Sequence, residues 1–218
     1  ANLMDVSIVD VPKLNKFEFD ARIDKVKKKC RGKLIVKEYP TSSAHAGHFE
    51  HLLDELRIKK SFKPDIIFVD YINLCTSKRF KAGSNHNSYT IIKSIAEELR
   101  GLSVMQNLPI VTATQVNRSG AGDADIDLTN TAESFGLPAT VDLMLALIST
   151  EDLEEMNQIM IKQLKNRYND VSYYKRFTVG IDRSKMRLYD LEAKAQDGLV
   201  STQSNSQKEK SQYSGFVI

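Results

Sequence analysis

The sequence predicts an α/β fold in which a mostly parallel, twisted sheet carries flanking helices and an antiparallel edge. Two short apolar segments, 66–69 and 109–115, have the continuous hydrophobicity of buried parallel strands. A strongly amphipathic segment, 88–107, lies between them and has the length and spacing of a crossover helix. Beyond residue 158, three strand-like segments follow one another, as in an antiparallel edge.

The parallel part of the sheet places two polar side chains at one edge. Asp70 follows the first apolar strand directly, and Gln115 ends the second. A right-handed strand–helix–strand crossover makes such strands parallel neighbours. Ligands of open α/β sheets bind outside the carboxyl ends of their strands. We therefore expect Asp70 and Gln115 to face the same ligand-binding edge.

The other elements follow from periodicity, caps and breakers. The pattern predicts a helix over 13–29, a short strand at 34–36, and a helix capped at 41–43 that runs to 58. After residue 140 it predicts strands over 141–148, 159–165, 177–181 and 186–191. From residue 193 the composition is mostly Ser, Gln, Lys and Asn, which predicts a disordered tail. We thus expect one domain over 1–192 and a tail over 193–218.

Composition narrows the class of protein. The 218 residues are 41% hydrophobic and 27% charged, as in a globular domain. No apolar run approaches the roughly 20 residues of a membrane-spanning helix, and the first residues do not resemble a secretory signal. The net charge of +3 gives no argument for nucleic acid by itself. Cys30 and Cys75 are far apart, which favours reduced thiols and a cytoplasmic location.

An apolar strand that ends in Asp has the form of a Walker B element. The strand fixes the carboxylate where a magnesium ion and its water shell would lie. The same pattern also occurs where the Asp of a strand only caps a helix or forms a turn. Asp70 alone leaves both interpretations open.

Four motifs in order resemble those of hexameric replicative helicases of the DnaB type, most closely those of large tailed phages. They comprise Val69–Leu74, Ala113–Arg118, Thr131–Ser134 with Ala139–Leu145, and Ile161–Arg167. The resemblance covers roughly 1–192 and implies a RecA-like core. It implies a helicase that uses ATP and Mg²⁺ to translocate on single-stranded DNA and unwind duplex during replication.

The resemblance also implies roles for individual residues. Asp70 matches the carboxylate that holds Mg²⁺ through water, and Gln115 matches a sensor of the γ-phosphate. Lys165 and Arg167 match a basic pair that reaches the nucleotide of a neighbouring subunit, where a guanidinium suits developing phosphoryl charge. A loop-capping role for Gln115 and a solvated strand end for the basic pair remain alternatives.

Further matches fall on DNA-facing loops and on the fourth motif. The basic residues of the two loops are expected to contact DNA, although a solvated loop is the alternative: Lys78, Arg79, Lys81 and Arg118. Glu133 and Asp142 match acidic positions of the fourth motif. For these two, structural hydrogen bonding and a direct role are both open.

The sequence departs from the family at the nucleotide site. It contains no phosphate-binding G-x-x-x-x-G-K-[ST], since the only Gly-Lys pair, Gly32–Lys33, is followed by Leu34. Tyr71 follows Asp70, so no catalytic glutamate stands there. We therefore expect this chain to be the C-terminal part of a longer helicase and to be inactive toward ATP alone.

The resemblance implies a set of partners for that longer protein. They are single-stranded DNA, further subunits of a homo-hexamer, a primase and a helicase loader, in the cytoplasm of a host cell, with no membrane. Two other hypotheses remain open from the sequence. One is a recombinase-like or circadian-clock-like RecA relative. The other is a non-catalytic RecA-like assembly or binding module.

Overall fold

A computed structural model describes residues 1–80, 87–115 and 136–191, which divide into two compact units. The Asp70 unit comprises the described residues within 36–144 and 164–170. The sheet unit comprises residues 1–35, 145–163 and 171–191. Both parts of the expected catalytic site belong to the Asp70 unit: the strand-end residues Asp70 and Gln115, and the basic pair Lys165 and Arg167.

The Asp70 unit is built on a parallel strand pair. Its helices are α2 (Ala46–Lys60), α3 (Ser88–Gln106) and α4 (Gly136–Thr140). Its strands β1 (Ile67–Val69) and β2 (Ile110–Thr112) pair in parallel, with Val69 opposite Thr112. The predicted strand–helix–strand arrangement is thus confirmed.

Helix α3 supplies most of the core of this unit. Apolar residues at helical spacing on one face are buried, and Ile95 and Leu102 are each 1% exposed. They pack with α4 and with the turn after β1, through Leu137 and Ile72. The helix begins at Asn87, whose side chain accepts from the N–H of Tyr89, and ends at Asn107 in the left-handed conformation.

The faces of the parallel pair differ from the prediction. Burial on both faces was expected, but Phe68 is 69% exposed and its register partner Val111 is 46% exposed. The opposite face packs on α3, with Ile110 against the core. The prediction was wrong because this sheet has only two strands in the described residues, and nothing among them covers its second face.

The short strand predicted at 34–36 is also wrong. This segment pairs with no strand among the described residues, and Leu34 and Val36 are 85% and 82% exposed. Three apolar residues favour extended backbone, but a strand exists only with a partner for its N–H and C=O groups.

The start of α2 lies later than predicted. The cap is His45 rather than a hydroxyl of 41–43, because its Nδ1 accepts from the N–H of Gly47 at 3.0 Å. The His45 N–H in turn donates to Nδ1 of His48. Partial burial, then the nearby His48, lowers the pKa of His45, which keeps the imidazole neutral and able to accept.

Most of the sheet unit is a four-stranded sheet in the order β3-β4-β5-β6. The strands are β3 (Leu143–Ile148), β4 (Gln158–Asn166), β5 (Arg176–Asp182) and β6 (Arg187–Tyr189). Pairing of β5 with both β4 and β6 is antiparallel, as predicted. In the described residues these strands form a sheet of their own rather than an edge of the parallel pair. A short helix, α5 (Glu151–Glu155), precedes β4.

The N-terminal segment of the sheet unit is bound to the turn between β5 and β6. The Asp5 carboxylate accepts from Lys185 and Arg187 at 2.8 and 2.9 Å, which lowers its pKa. The segment leads into α1 (Lys16–Lys29), which a capping box formed by Asn15 and Glu18 begins. No helix in the described ranges is long and apolar enough to cross a membrane.

The His45 cap predicts a pH dependence of stability. Because folding holds the pKa of His45 below its ordinary 6.5, the unfolded chain takes up this proton at higher pH. The free energy of unfolding should therefore fall as pH drops below 6.5 and level off below the folded-state pKa. Denaturant unfolding between pH 7.5 and 5 measures it.

A matched variant isolates the cap. His45→Asn keeps a side-chain acceptor but no titrating group, so it should lose this part of the pH dependence. His45→Ala should cost about 1 kcal/mol at pH 7, as other lost caps do. An unchanged pH profile in His45→Asn would show that the cap is not the titrating element.

Candidate active-site edge and basic cluster

Asp70 and Gln115 lie at the same edge of the parallel pair. Beyond the strands, the N–H of Ile72 donates to the carbonyl of Ala113 at 3.2 Å, so the two chains leave the sheet side by side. Both side chains are exposed, and neither has a hydrogen bond or ion pair within the described residues. The predicted common edge is therefore present, with a carboxylate and an amide available to a ligand.

Side-chain hydrogen bonds tie the two loops of this edge together. The Thr112 hydroxyl donates to the carbonyl of Val69 at 2.8 Å, and the Thr114 hydroxyl donates to Oδ1 of Asn73 at 3.0 Å. A 3₁₀ turn, Ile72–Leu74, follows the cis peptide between Asp70 and Tyr71. Burial of Ile72, which is 1% exposed, anchors this turn on α3.

A basic cluster surrounds the carboxyl end of α4. Lys165 Nζ donates to the carbonyls of Pro138 and Ala139, and Arg167 donates to Ala139 at 2.9 Å. Arg100, from α3, donates to the carbonyl of Thr140 at 2.7 Å. The final carbonyls of a helix lack partners within it, so cations are favourable there. Three cations from two segments, α3 and the end of β4, therefore meet at one short helix end.

Asp142 bridges two of these cations. Its Oδ1 accepts from Arg100 at 2.9 Å and from Arg167 at 3.1 Å. Its backbone carbonyl also accepts from the N–H of Arg167 at 2.9 Å. The sequence left open a structural role and a direct role for Asp142. Its contacts in the described residues are those of structural hydrogen bonding.

The surroundings change the acidity of Lys165. Its partial burial lowers the pKa of the ammonium group, and the nearby Arg167 lowers it further, while Asp142 acts in the opposite direction. The ammonium group is bound to backbone carbonyls rather than to a carboxylate.

Sequence reasoning missed Arg100 as a member of the cluster. It lies on α3 next to the buried Leu99. Nothing in the sequence indicates that its guanidinium reaches Thr140, which is 40 positions away. Its one signal is a cation beside the apolar face of an amphipathic helix. That signal also fits an ordinary solvated arginine.

A buried carboxylate on α3 holds the start of the first expected DNA-facing loop. Glu98, whose side chain is 2% exposed, accepts from the Ser77 hydroxyl and from the N–H of Lys78. Arg79 forms an ion pair with Glu97, whereas the ammonium of Lys78 is exposed. The described part of this loop thus offers one unpaired cation.

Three further predicted residues lie outside the described residues. Lys81 belongs to the remainder of the first loop, Arg118 to the second loop, and Glu133 to the fourth motif. Their expected roles stay predictions.

The residues at the strand edge suit one part of a magnesium–nucleotide site. Asp70, an exposed carboxylate at a strand end, suits a hard cation bound through water. The described residues contain no group of three His, Cys, Asp or Glu side chains that could hold a metal ion by themselves. The sequence also encodes no phosphate-binding loop. Asp70 would therefore contribute one carboxylate to a site whose phosphate contacts come from elsewhere.

Comparison with known proteins identifies one relative by sequence. The chain is 40% identical over 211 residues to the DnaB-like replicative helicase of Enterobacteria phage T4. That match covers 95% of this chain and 44% of the relative. No protein-family model matches the chain.

Two solved structures share the fold. One is a DnaB-like replicative helicase studied for its interactions with primase, with a TM-score of 0.66 and coverage of 88% of this chain and 47% of that chain. The other is the ATPase domain of G40P, with a TM-score of 0.65 and coverage of 88% and 68%. Both are 14% identical to this chain, which establishes the fold alone.

The fold is that of a RecA-like core, which both solved structures share. The identity with the phage protein goes further, and the chain belongs to the family of DnaB-like replicative helicases. It spans less than half the length of that relative. The predicted resemblance is thus confirmed.

The anchoring of the first loop by Glu98 is testable. Glu98→Ala would remove the acceptor of a buried hydroxyl and of a backbone N–H, so it should cost about 1–3 kcal/mol of stability. Glu97→Ala is the matched control, because it breaks only the partly exposed pair with Arg79 and should cost less than about 1 kcal/mol. Equal losses in chemical denaturation would contradict the anchoring role.

Proposed function

We propose that this chain is the carboxyl-terminal motor portion of a replicative DNA helicase. In the longer protein, ATP hydrolysis would drive translocation on single-stranded DNA and unwind duplex. The observation that carries the proposal is the shared edge of Asp70 and Gln115 in one unit with the basic pair Lys165 and Arg167. Membership of the helicase family supports it.

At the strand edge, each side chain has a separate task. Asp70 would orient the water shell of Mg²⁺, which when bound neutralises phosphate charge. Gln115 would donate its amide N–H to a phosphate oxygen and lose that partner after hydrolysis. The hydrogen bonds between the two loops would let such a loss change the position of the Tyr71 segment, which leads toward the DNA-facing loop.

The basic pair would act on a nucleotide held by a neighbouring subunit. Arg167 presents a planar guanidinium, which suits the equatorial oxygens of a transferring phosphoryl group. In the described structure, Asp142 and the end of α4 hold this guanidinium. Arg167 would exchange those partners for phosphate oxygens when a subunit interface forms, and Lys165 would support the α4 end.

Assembly and partners follow from the same proposal. A nucleotide shared between subunits requires a ring or filament, and we propose a homo-hexamer. Lys78 and the basic residues of the second loop would contact the DNA backbone without sequence preference. The interactions with primase described for one structural relative support a primase partner, and a helicase loader completes the expected set.

The ATPase activity of an Arg167 variant tests the interface role of this residue. In the longer protein, which we expect to carry a phosphate-binding loop, Arg167→Ala should lower DNA-stimulated ATPase activity by about 10³-fold or more. Asp142→Asn weakens the same ion pair but keeps the guanidinium, so its activity should fall far less. ATPase intact in Arg167→Ala would refute the role.

Mixing distinguishes action between subunits from action within one. Asp70→Asn subunits keep Arg167, and Arg167→Ala subunits keep Asp70. Mixed rings therefore contain some complete interfaces and should recover part of the ATPase activity that both parents lack. No recovery in assembled mixed rings would mean that the two residues act within one subunit.

The isolated chain should not bind nucleotide tightly. Without a phosphate-binding loop, Asp70 and Gln115 meet only one end of a triphosphate, so titration calorimetry with Mg-ATP should show no saturable micromolar binding. Asp70→Ala should leave that result unchanged. Saturable micromolar binding that is lost in Asp70→Ala would show that the chain already contains a complete site.

A further inference from the structure

A run of cations at the end of α1 has no role in the proposed motor. Between Lys25 and Lys33, six of nine residues are Lys or Arg and none is Asp or Glu. The whole chain has a net charge of only +3, so all its other residues together are net negative. Positive charge is therefore concentrated in one segment of the sheet unit.

Most of these cations are exposed and unpaired. Lys27 lies 3.5 Å from Asp24, but no carboxylate among the described residues forms an ion pair with the other five. We name these five the α1 patch, which consists of Lys25, Lys28, Lys29, Arg31 and Lys33, all exposed.

The fold does not explain the α1 patch. Helix α1 has no buried residue, so these side chains cover no core. Cations stabilise the carboxyl end of a helix, but that effect is confined to its last turn. It accounts for Lys28 and Lys29 and leaves Lys25, Arg31 and Lys33 without a structural reason.

Helix α2 provides a natural comparison in the same chain. It also ends in cations, but Arg57 and Lys59 lie 2.9 Å from Asp54 and Glu55, respectively. Such pairs are typical of a solvated helix end. The α1 patch has the same cations without the neutralising carboxylates, which leaves its charge available to a partner.

The spacing of the α1 patch suits a line of phosphates. Lys25, Lys28 and Lys29 are three and four residues apart, so they share one side of α1 over about 6 Å. Arg31 and Lys33 continue the charge beyond the helix. Duplex DNA carries one negative charge per about 1.7 Å of its axis, and neutralising it releases counterions.

Between Lys25 and Lys33 there is no aromatic side chain. Proteins that hold single strands usually add base stacking on aromatic residues to their basic grooves. A patch that offers charge alone gains most from the denser charge of a duplex. We propose that the α1 patch binds the phosphate backbone of duplex DNA.

Salt-dependent binding tests this proposal on the 218-residue chain. Anisotropy of a labelled short duplex is measured over a salt series for the wild type and for a variant with all five patch cations changed to Gln. Each lost phosphate contact lowers the slope of log affinity against log salt by about 0.9. If all five cations contact phosphates, the variant should lose about 4.5 in slope, and it should bind at least about tenfold more weakly at low salt.

Two control variants separate the patch from general charge and from the proposed motor. The double variant Arg57→Gln, Lys59→Gln removes paired cations and should bind duplex like the wild type. Lys78→Gln removes the exposed cation of the expected channel loop and shows how much of the duplex affinity that loop contributes. Duplex binding lost in Lys78→Gln but kept in the patch variant would overturn the patch proposal and leave the proposed motor function standing.

A cysteine within the patch reports contact directly. Cys30 is exposed, whereas Cys75 is half-buried and its burial raises the pKa of its thiol. Duplex DNA should slow alkylation of Cys30 by iodoacetamide and leave Cys75 unaffected, as measured by mass spectrometry. Unchanged Cys30 alkylation at saturating duplex would overturn the proposal.

Competition identifies the class of ligand. Unlabelled duplex should displace the labelled duplex more effectively, per phosphate, than a single strand of the same length. Stronger displacement by the single strand would overturn the choice of duplex. Equal displacement by polyglutamate, per charge, would show that the patch recognises acidic polymers in general and would overturn nucleic acid as its ligand.

Discussion

Burial of one face of α3 is the constraint on which the rest of the Asp70 unit depends. Four consecutive residues of this helix point to four different neighbours because each step rotates by about 100°. Leu99 enters the core, Glu97 pairs with Arg79, Glu98 holds the loop at Ser77, and Arg100 reaches the end of α4. Fixing the apolar face of α3 therefore fixes the loop and the basic cluster together.

The parallel strands add the second part of this arrangement. Their register places the chain after β1 beside the chain after β2, and hydrogen bonds from Thr112 and Thr114 hold that relation beyond the sheet. Asp70 and Gln115 then share an edge, and neither side chain has a hydrogen bond or ion pair within the described residues. A site of this kind is organised by backbone placement, which leaves its polar groups available to a ligand.

The parts of the fold that the sequence predicted are those with local causes. The periodicity of α3 and the apolar runs at β1 and β2 follow from burial within one segment. The parts that could not be predicted depend on distant or unusual partners: His45 as a cap, the exposed face of Phe68, and the reach of Arg100. The strand at 34–36 failed for the same reason, since local propensity does not supply a pairing partner.

Sharing of Asp142 between two arginines has a consequence for movement. If Arg167 leaves, Arg100 remains at 2.9 Å, so the carboxylate keeps a counter-charge. The departure then breaks a partly exposed pair, worth about 1 kcal/mol or less, and one hydrogen bond to the Ala139 carbonyl, rather than isolating a charge. Because Arg100 stays paired with Asp142, the guanidinium of Arg167 can exchange partners with little disturbance to α4.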